Sequence, residues 1–304
     1  MAEHLTADLI TSRDNKWLKT FRAALRGTGP AENDPIAVEG RKLVEDSLRS
    51  RLEAVALLVS ESGERELEYV LRAASESITG IPRARVLRTT DKLFESVAGT
   101  ETPRGVAALF RQPEWQFEDV LRGAASPDGA FLGRVPLLVV MAGVQDPGNV
   151  GTIVRSAEAF GATGAVTTRG SADPWSPKAV RASAGSALRL PVLRGLAVPV
   201  LLAQLRVAEV KVMAASSHAT TEQDNQAQAV ADLRDPVAIF IGSEGAGLPP
   251  EVEHAADVRI AIPIAESVES LNAGIAASIV LYEAARQRKS TTDEHLINTN
   301  ERRK

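Results

Sequence analysis

Residues 136–161 read PLLVVMAGVQDPGNVGTIVRSAEAFG, and this stretch decides the fold. It opens on an apolar run from Pro136 to Ala142, which is typical of a strand buried on both faces of a parallel sheet. A turn follows at 146–149, and the spacing then predicts a helix over 150–160. Polar groups that directly follow such a strand lie at the carboxyl edge of the sheet, where ligands collect. Taken alone, the segment also fits an ordinary strand–turn–helix joint in which Arg155 pairs with Glu158.

The same alternation of strand and helix continues on both sides of this stretch. After it we expect strands at 165–168, 210–215, 237–241 and 258–262, and helices at 177–188, 198–207 and 271–288. Before it we expect helices at 17–27, 39–51 and 64–74, and strands at 54–59 and 105–110. Alternation of this kind favours an α/β fold with right-handed crossovers and a parallel sheet. The predicted organisation is a small α/β domain at 1–111, a linker at 112–135, a parallel-sheet domain at 136–289 and a polar tail at 290–304.

Composition excludes several classes of protein. The chain has 304 residues, of which 44% are hydrophobic, so it can bury a core and is not expected to be disordered. It has no window of about 18 apolar residues, so no membrane span is expected. It has no cysteine, which excludes disulfides, thiolate zinc sites and a cysteine nucleophile. The four histidines show no ligand spacing, so we expect no metal. The N-terminal sequence lacks the pattern of a secretory signal, and we expect a cytoplasmic protein.

The charge is unevenly distributed along the chain. The net charge of −4 argues against binding of nucleic acid by bulk electrostatics. However, residues 13–26 carry five basic side chains against Asp14 alone, and residues 169–194 carry five against Asp173 alone. Such stretches are either solvated helix faces or phosphate contacts.

Two further segments place glycines and polar groups after predicted strands. Residues 239–250 read IFIGSEGAGLPP, and residues 262–272 read IPIAESVESLN. The glycine spacing of the first matches neither a dinucleotide-binding motif nor a P-loop. Its glycines allow close approach of a flat ligand, or they make a turn. In the second segment we expect Ser270 to cap a helix rich in small residues, which could pack on its own sheet or on a partner subunit.

These motifs, in this order, resemble those of the SpoU/TrmH family of RNA ribose 2′-O-methyltransferases in the SPOUT superfamily. The resemblance covers about 136–288 and closes on LYEAARQR at 281–288. The N-terminal domain resembles more loosely the RNA-substrate-binding domain of that family, at 10–16, 38–43 and 102–107. The resemblance implies a SPOUT domain with a deep trefoil knot, S-adenosylmethionine as cofactor, RNA as substrate and a homodimer formed through the knot region.

The resemblance also implies roles for individual residues. The cofactor would be held mainly by main-chain atoms of Gly242, Ile262 and Leu271. The catalytic residues would be Arg155, Asn149, Glu244, Ser270 and Asn272. RNA phosphates would be bound by Arg13, Lys16, Lys19, Arg22, Lys178 and Arg181, with Lys178, Arg181 and Arg189 near the catalytic edge. The sequence departs from many relatives at Glu266, where they carry glycine, and at Gly274, where they carry serine. A positive φ at position 266 would cost about 1 kcal/mol for a non-glycine residue.

A guanidinium is effectively always protonated, which argues against Arg155 as a general base. We expect Arg155 to clamp a neighbouring phosphate and Glu244 to orient it, while a phosphate oxygen or water takes the hydroxyl proton. The resemblance also favours 23S ribosomal RNA as substrate, because the transfer-RNA enzymes of that family generally lack the N-terminal domain. The alternatives are a transfer-RNA ribose methyltransferase, a non-catalytic RNA-binding protein that keeps the fold, and a small-molecule methyltransferase.

Overall fold

The structure is a computed structural model that describes residues 8–27, 34–50, 52–75, 84–123, 134–216, 231–265 and 267–301. The chain forms two compact units. The first extends to Glu114 and also includes Trp175–Arg189, and the second contains Trp115–Pro174 and the chain from Leu190 onward.

The first unit is built on a five-stranded mixed sheet with the strand order β1-β4-β3-β5-β2. The strands are β1 (Asp8–Ile10), β2 (Ile36–Glu39), β3 (Ala54–Ser60), β4 (Arg85–Thr89) and β5 (Val106–Phe110). The helices are α1 (Lys16–Arg26), α2 (Arg41–Leu48), α3 (Glu64–Ser75) and α4 (Asp91–Glu95), with a 3₁₀ turn at Glu61–Gly63. The predicted helices and the two predicted strands are present, with bounds that differ by up to three residues. The sequence interpretation missed β1, β2, β4 and α4, which are only three to five residues long.

Helix α1 shows how sequence sets the bounds of these elements. Asn15 caps it, because its side-chain oxygen accepts a hydrogen bond from the Trp17 amide at 2.8 Å. Gly27 ends it in the left-handed conformation, at φ 67°. Between them Leu18, Phe21 and Leu25 recur on one face and are buried in the core. The charged side chains therefore fall on the opposite, solvent-facing side.

The second unit is built on a six-stranded parallel sheet with the order β11-β9-β10-β6-β7-β8. The strands are β6 (Leu137–Ala142), β7 (Gly164–Thr168), β8 (Val192–Leu196), β9 (Lys211–Ser216), β10 (Val237–Gly242) and β11 (Val258–Ala261). The helices are α5 (Phe117–Arg122), α6 (Pro147–Ala159), α8 (Val198–Val207), α9 (Pro250–Ala255) and α10 (Ala273–Glu301). Every residue of β6 is buried, as the unbroken apolar run predicts. Strand β8 was not predicted, because Arg194 and Gly195 interrupt its apolar pattern.

Several predicted boundaries differ from the structure. Residues 117–122 of the predicted linker form α5, whose Val120 is fully buried among side chains of the second unit. The predicted helix at 177–188 divides into α7 (Pro177–Ala182) and a 3₁₀ turn (Ser186–Leu188). It divides there because Ala184 and Gly185 both have positive φ. The final helix begins at Ala273 and continues to Glu301, so residues 290–301 of the predicted polar tail are helical.

One arginine anchors α10 to the amino-terminal edge of this sheet. The Arg288 guanidinium donates hydrogen bonds to the carbonyl oxygens of Val135, Pro136, Leu233 and Asp235 at 2.6–3.0 Å. Burial lowers the pKa of Arg288 to about 10, so the group stays charged at neutral pH. These residues immediately precede β6 and β10, so α10 is held in register with the two central strands. The trefoil knot implied by the resemblance stays a prediction.

Candidate active site

An open cleft lies in the second unit, at the carboxyl edge of β9, β10 and β11. It contains the three predicted cofactor-binding residues, Gly242, Ile262 and Leu271, together with Glu244 and Ser270. The two motifs after β10 and β11 therefore line one cleft, although they are separated by about twenty residues in sequence.

Aliphatic side chains form most of the cleft wall. They include four isoleucines, at positions 241, 260, 262 and 264. Ile241, Ile260 and Ile264 were not singled out from the sequence. The sequence signal that could have identified them as cleft residues is their position at or just beyond the end of a buried strand. Apolar walls with exposed backbone suit a ligand that has a flat apolar part and a few polar groups.

Gly242 is glycine because its own loop folds back over it. A Cβ at this position would lie 2.4 Å from the carbonyl carbon of Gly247 and 2.7 Å from the nitrogen of Leu248. Ser243 and Gly247 exchange two backbone hydrogen bonds at 3.0 and 3.1 Å, which closes the loop as a tight turn. The tight turn alone therefore explains why residue 242 is a glycine.

Three side chains from distant parts of the sequence form a hydrogen-bonded cluster at the rim of the cleft. Glu244 Oε1 accepts hydrogen bonds from Asn149 Nδ2 at 3.0 Å and from Asn272 Nδ2 at 2.7 Å. Asn272 Nδ2 also lies 3.0 Å from Asn149 Oδ1. Asn149 is in the first turn of α6, Glu244 follows β10, and Asn272 precedes α10. The cluster therefore joins the three motifs.

Asn272 also caps α10. Its Oδ1 accepts hydrogen bonds from the amides of Gly274 at 2.9 Å and Ile275 at 3.2 Å. The prediction that Ser270 caps this helix is therefore wrong. The Ala273 amide points to Glu244 Oε1 at 3.4 Å. A carboxylate at the amino-terminal end of a helix is stabilised by the helix dipole.

Close packing of α10 on α6 brings Asn149 and Asn272 together. A Cβ at Gly274 would lie 3.1 Å from Thr152 Cγ2, closer than ordinary van der Waals contact. The hydroxyl oxygens of Ser156 and Ser278 are 2.7 Å apart across the same interface. Part of the small-residue face predicted for this helix therefore packs on a neighbouring helix of the same unit.

Arg155 does not join this cluster. It lies on the exposed side of α6 and makes no hydrogen bond or ion pair with any residue in the described part of the chain. Glu244 is bonded to the two asparagines, so the expected contact between Glu244 and Arg155 is not formed. Ser270 lines the cleft with an exposed side chain. Position 266 lies outside the described residues.

The predicted RNA-binding residues all fall in the first unit. Lys178, Arg181 and Arg189 belong to the segment 175–189, which the structure groups with the first unit although its sequence neighbours on both sides belong to the second. Their expected position near the catalytic edge stays a prediction.

Several cations of α1 and the turn before it have partners within the chain. Lys19 pairs with Asp14 at 3.2 Å, and Arg22 donates to the Ser96 carbonyl at 3.3 Å. Lys16 lies 5.9 Å from the centre of the Trp17 ring. Arg13 is exposed and has no partner among the residues that the structure describes.

Within the residues that the structure describes, neither a metal site nor a membrane-spanning helix is found. No group of three or more histidine or acidic side chains there could hold a metal ion. No helix there is long and apolar enough to cross a membrane.

Comparison with known proteins identifies the family. The profile of the SpoU rRNA methylase family matches residues 136–282, and that of the RNA 2′-O ribose methyltransferase substrate-binding domain matches residues 37–116. An uncharacterised tRNA/rRNA methyltransferase of Mycobacterium avium is 35% identical over 257 residues, which are 83% of this chain and 77% of the relative. A similar protein of Synechocystis is 31% identical, over 93% of this chain and 96% of the relative.

Solved structures agree with this assignment. The AdoMet-bound rRNA methyltransferase of Sinorhizobium meliloti superimposes with a TM-score of 0.73 at 29% identity, over 92% of this chain and 98% of that one. The SpoU methyltransferase AviRb of Streptomyces viridochromogenes, in complex with AdoMet, gives a TM-score of 0.71 at 26% identity, over 91% and 99%. Fold and cleft together define an α/β methyltransferase with an added substrate-binding domain. The chain belongs to the SpoU methyltransferase family, whose cofactor is S-adenosylmethionine.

The tight turn at Gly242 predicts different effects for two neighbouring glycines. Gly242→Ala places a methyl group against backbone atoms, and the strain of about 1–3 kcal/mol must displace the turn that lines the cleft. We expect affinity for S-adenosylmethionine, measured by calorimetry, to fall about 10- to 100-fold. The control Gly245→Ala adds its methyl to open space and should stay within about 2-fold of wild type. Equal affinities for the two variants would contradict this account.

Proposed function

We propose that this protein transfers the methyl group of S-adenosylmethionine to a ribose 2′-hydroxyl of RNA, and that its substrate is 23S ribosomal RNA in the cytoplasm. The observation that carries the proposal is the cluster of Asn149, Glu244 and Asn272 at the rim of the cleft. It lies in a chain that also matches the RNA 2′-O ribose methyltransferase substrate-binding domain. A cleft lined by the predicted cofactor-binding residues beside fixed polar side chains, together with an RNA-binding domain, is what the reaction requires.

The residues of the cleft fit this cofactor by their chemistry. The aliphatic wall can cover an adenine ring, and the turn at Gly242 exposes main-chain groups that can read its edge. When bound, S-adenosylmethionine supplies a methyl group already activated by the positive charge on its sulfur. The protein must therefore align the ribose hydroxyl and allow its proton to leave. Alignment of this kind can contribute about 7–11 kcal/mol to lowering the barrier.

The hydrogen bonds within the cluster hold the polar side chains of the site in place for methyl transfer. Both asparagines donate to the same oxygen of Glu244, so the carboxylate is held in one orientation. The new bond forms between the ribose oxygen and the methyl carbon as the carbon–sulfur bond breaks, and the proton passes to a phosphate oxygen or to water. We assign Ser270, which is exposed at the cleft, to contact the ribose.

Arg155 is available for a phosphate because nothing in the described chain occupies it. Guanidinium groups are effectively always protonated, so an arginine at this position can neutralise a phosphate beside the reacting ribose but is not suited to accept a proton. Bidentate hydrogen bonds to phosphate also fix the geometry of the RNA backbone. We therefore assign Arg155 the role of a phosphate clamp, acting without the Glu244 contact expected from the sequence.

A second copy of the chain is the expected partner of an exposed apolar face on α10. Ile275, Ile279 and Tyr282 are 53%, 42% and 55% exposed, and their spacing of four and three residues places them on one side of the helix. A self-complementary helix face of this kind suits a twofold interface. We propose a homodimer through α10. The family resemblance also implies a homodimer, formed through the knot region.

Methyl transfer distinguishes the candidate substrates. We expect tritium from labelled S-adenosylmethionine to appear in a 23S ribosomal RNA transcript, and a ribose 2′-O-methyl group to map to one nucleotide. Label in transfer RNA alone would make the protein a transfer-RNA methyltransferase. Cofactor binding without transfer to any RNA would favour the non-catalytic alternative and contradict the proposal.

The clamp and general-base roles of Arg155 predict different pH profiles for Arg155→Lys. A lysine has an unperturbed pKa near 10.4 and lacks the bidentate fork. For a clamp, we expect turnover to fall about 10²-fold at every pH, a typical effect of removing one preorganised donor. Affinity for S-adenosylmethionine should be unchanged. Turnover that recovers to near the wild-type value at high pH would instead identify a base.

The dimer predicts how two aspartate substitutions differ. At micromolar concentration we expect light scattering to give twice the chain mass of 32.3 kDa for the wild type. Ile279→Asp buries a charge in the proposed interface and should give the single-chain mass. Val207→Asp is the control, because Val207 lies on α8 and is 86% exposed. A single-chain mass for the wild type would refute the dimer.

A further inference from the structure

Three segments of the first unit that resemble the substrate-binding domain meet at one edge of its sheet. Strand β5 is antiparallel to β3, and β2 is antiparallel to β5. The start of β5 therefore lies beside the ends of β2 and β3, and the parallel strands β4 and β1 end at the same edge. Residues 10–16, 38–43 and 102–107 are thus brought to that edge from distant positions in the sequence.

Arg41 and Arg104 leave this edge close together. The Gly40 amide donates to the Val106 carbonyl at 2.9 Å, and the two arginines lie within two residues of that hydrogen bond. Arg104 is exposed and has no hydrogen bond or ion pair within the described chain. Arg41 faces Glu66 at 3.4 Å, in an ion pair with both side chains partly in solvent. Such an exposed pair is weak, so the guanidinium can exchange it for a phosphate.

The backbone that carries Arg104 is held firmly. Glu39 accepts hydrogen bonds from the Gly99 amide at 2.7 Å and from the Thr100 hydroxyl, so its carboxylate is committed to the loop. The Ser60 amide donates to the Gly105 carbonyl at 2.8 Å. Arg104 is therefore presented from a fixed loop, which lowers the entropy lost when it binds a ligand.

An exposed aromatic ring lies beside Arg41. Tyr69 on α3 is 55% exposed, and the Arg41 guanidinium carbon lies 5.3 Å from its ring centre. Proteins that bind single-stranded nucleic acid combine cations that follow the backbone with aromatic side chains on which bases stack. An exposed tyrosine in contact with an arginine provides both kinds of group.

We propose that Arg41, Tyr69 and Arg104 form an RNA-contact patch, in which the arginines bind phosphates and Tyr69 stacks on an unpaired base. The inference rests on the proposed function and adds a site to the RNA-binding residues that the family resemblance implies at α1 and α7. Among the acidic groups around the patch, Glu39 is bound to the loop at 99–100, Glu66 faces Arg41, and Glu101 is exposed. The patch favours an unpaired segment of RNA, because a base in a duplex has no free face to offer.

Binding of the full chain to a 23S ribosomal RNA transcript tests the patch. At 0.15 M salt, Arg104→Gln and Arg41→Gln should each weaken binding about five-fold and reduce the salt slope by about 0.7–0.9, the loss of one phosphate contact. Tyr69→Ala should weaken binding about 5- to 100-fold with little change in slope, and Tyr69→Phe should stay near wild type because it keeps the ring.

Arg111→Gln is the matched control. Arg111 follows the other end of β5, is exposed, and pairs with Glu53 at 2.8 Å. The Arg111→Gln variant should bind the RNA transcript with the affinity of the wild type. In the methyl transfer assay the patch variants should raise KM and leave kcat and cofactor affinity unchanged, because the chemistry lies in the second unit. Melting temperatures within a few degrees of wild type would show that the variants are folded.

The outcomes separate this inference from the proposed function. Unchanged binding by the patch variants, or an equal loss in Arg111→Gln, would overturn the patch while methyl transfer stands. A wild-type chain that binds the transcript without methylating it would refute the proposed function, and the variants would still decide the patch. A wild-type chain that binds no RNA would overturn both.

Discussion

Glu244 Oε1 accepts hydrogen bonds from Asn149 and Asn272 and lies near the first amide of α10, and the geometry of the site depends on this one oxygen. Its partners come from the start of α6 and the start of α10, 95 and 28 residues away in sequence. The helix amino terminus and the two amide donors together stabilise a carboxylate that is otherwise exposed. Because both asparagines converge on the same atom, a shift of any of the three segments would break more than one bond.

The cleft follows from that arrangement. The segment after β11 must pass from the end of its strand to Asn272, and the turn after β10 must close over Gly242 so that Glu244 can reach the asparagines. Both segments are thereby fixed at the cleft rim, while the strand ends behind them supply the aliphatic wall. At the other end of α10, Arg288 binds four carbonyl oxygens beside the starts of β6 and β10. The helix that caps the site is therefore held to the central strands at two points along its length.

The two units divide the chemical tasks. The second unit carries the cleft and the hydrogen-bonded polar cluster at its rim, which suit a cofactor that is bound mainly by main-chain groups and apolar side chains of the protein. The first unit carries the predicted RNA-binding cations, and it recruits Lys178 and Arg181 from a segment that interrupts the second unit in sequence. Phosphate contacts of this kind position RNA without reading its sequence. Under the proposed function, these cations would therefore position the RNA without selecting the nucleotide.

The parallel α/β architecture could be predicted from the sequence, because an unbroken apolar run such as 137–142 is typical of a strand buried on both faces. The main candidate residues, such as Gly242, Glu244 and Leu271, came from the motifs that resemble those of the SpoU/TrmH family. The hydrogen-bond partners of these side chains, and the unit to which each segment belongs, became clear only from the packing of the elements. The helix cap is Asn272 and not Ser270, Glu244 binds the asparagines and not Arg155, and 175–189 joins the first unit. Local periodicity reports which face of an element is buried, but it carries no information about partners that are distant in sequence, and those partners are set by the packing of α6 against α10 and by the order of the strands.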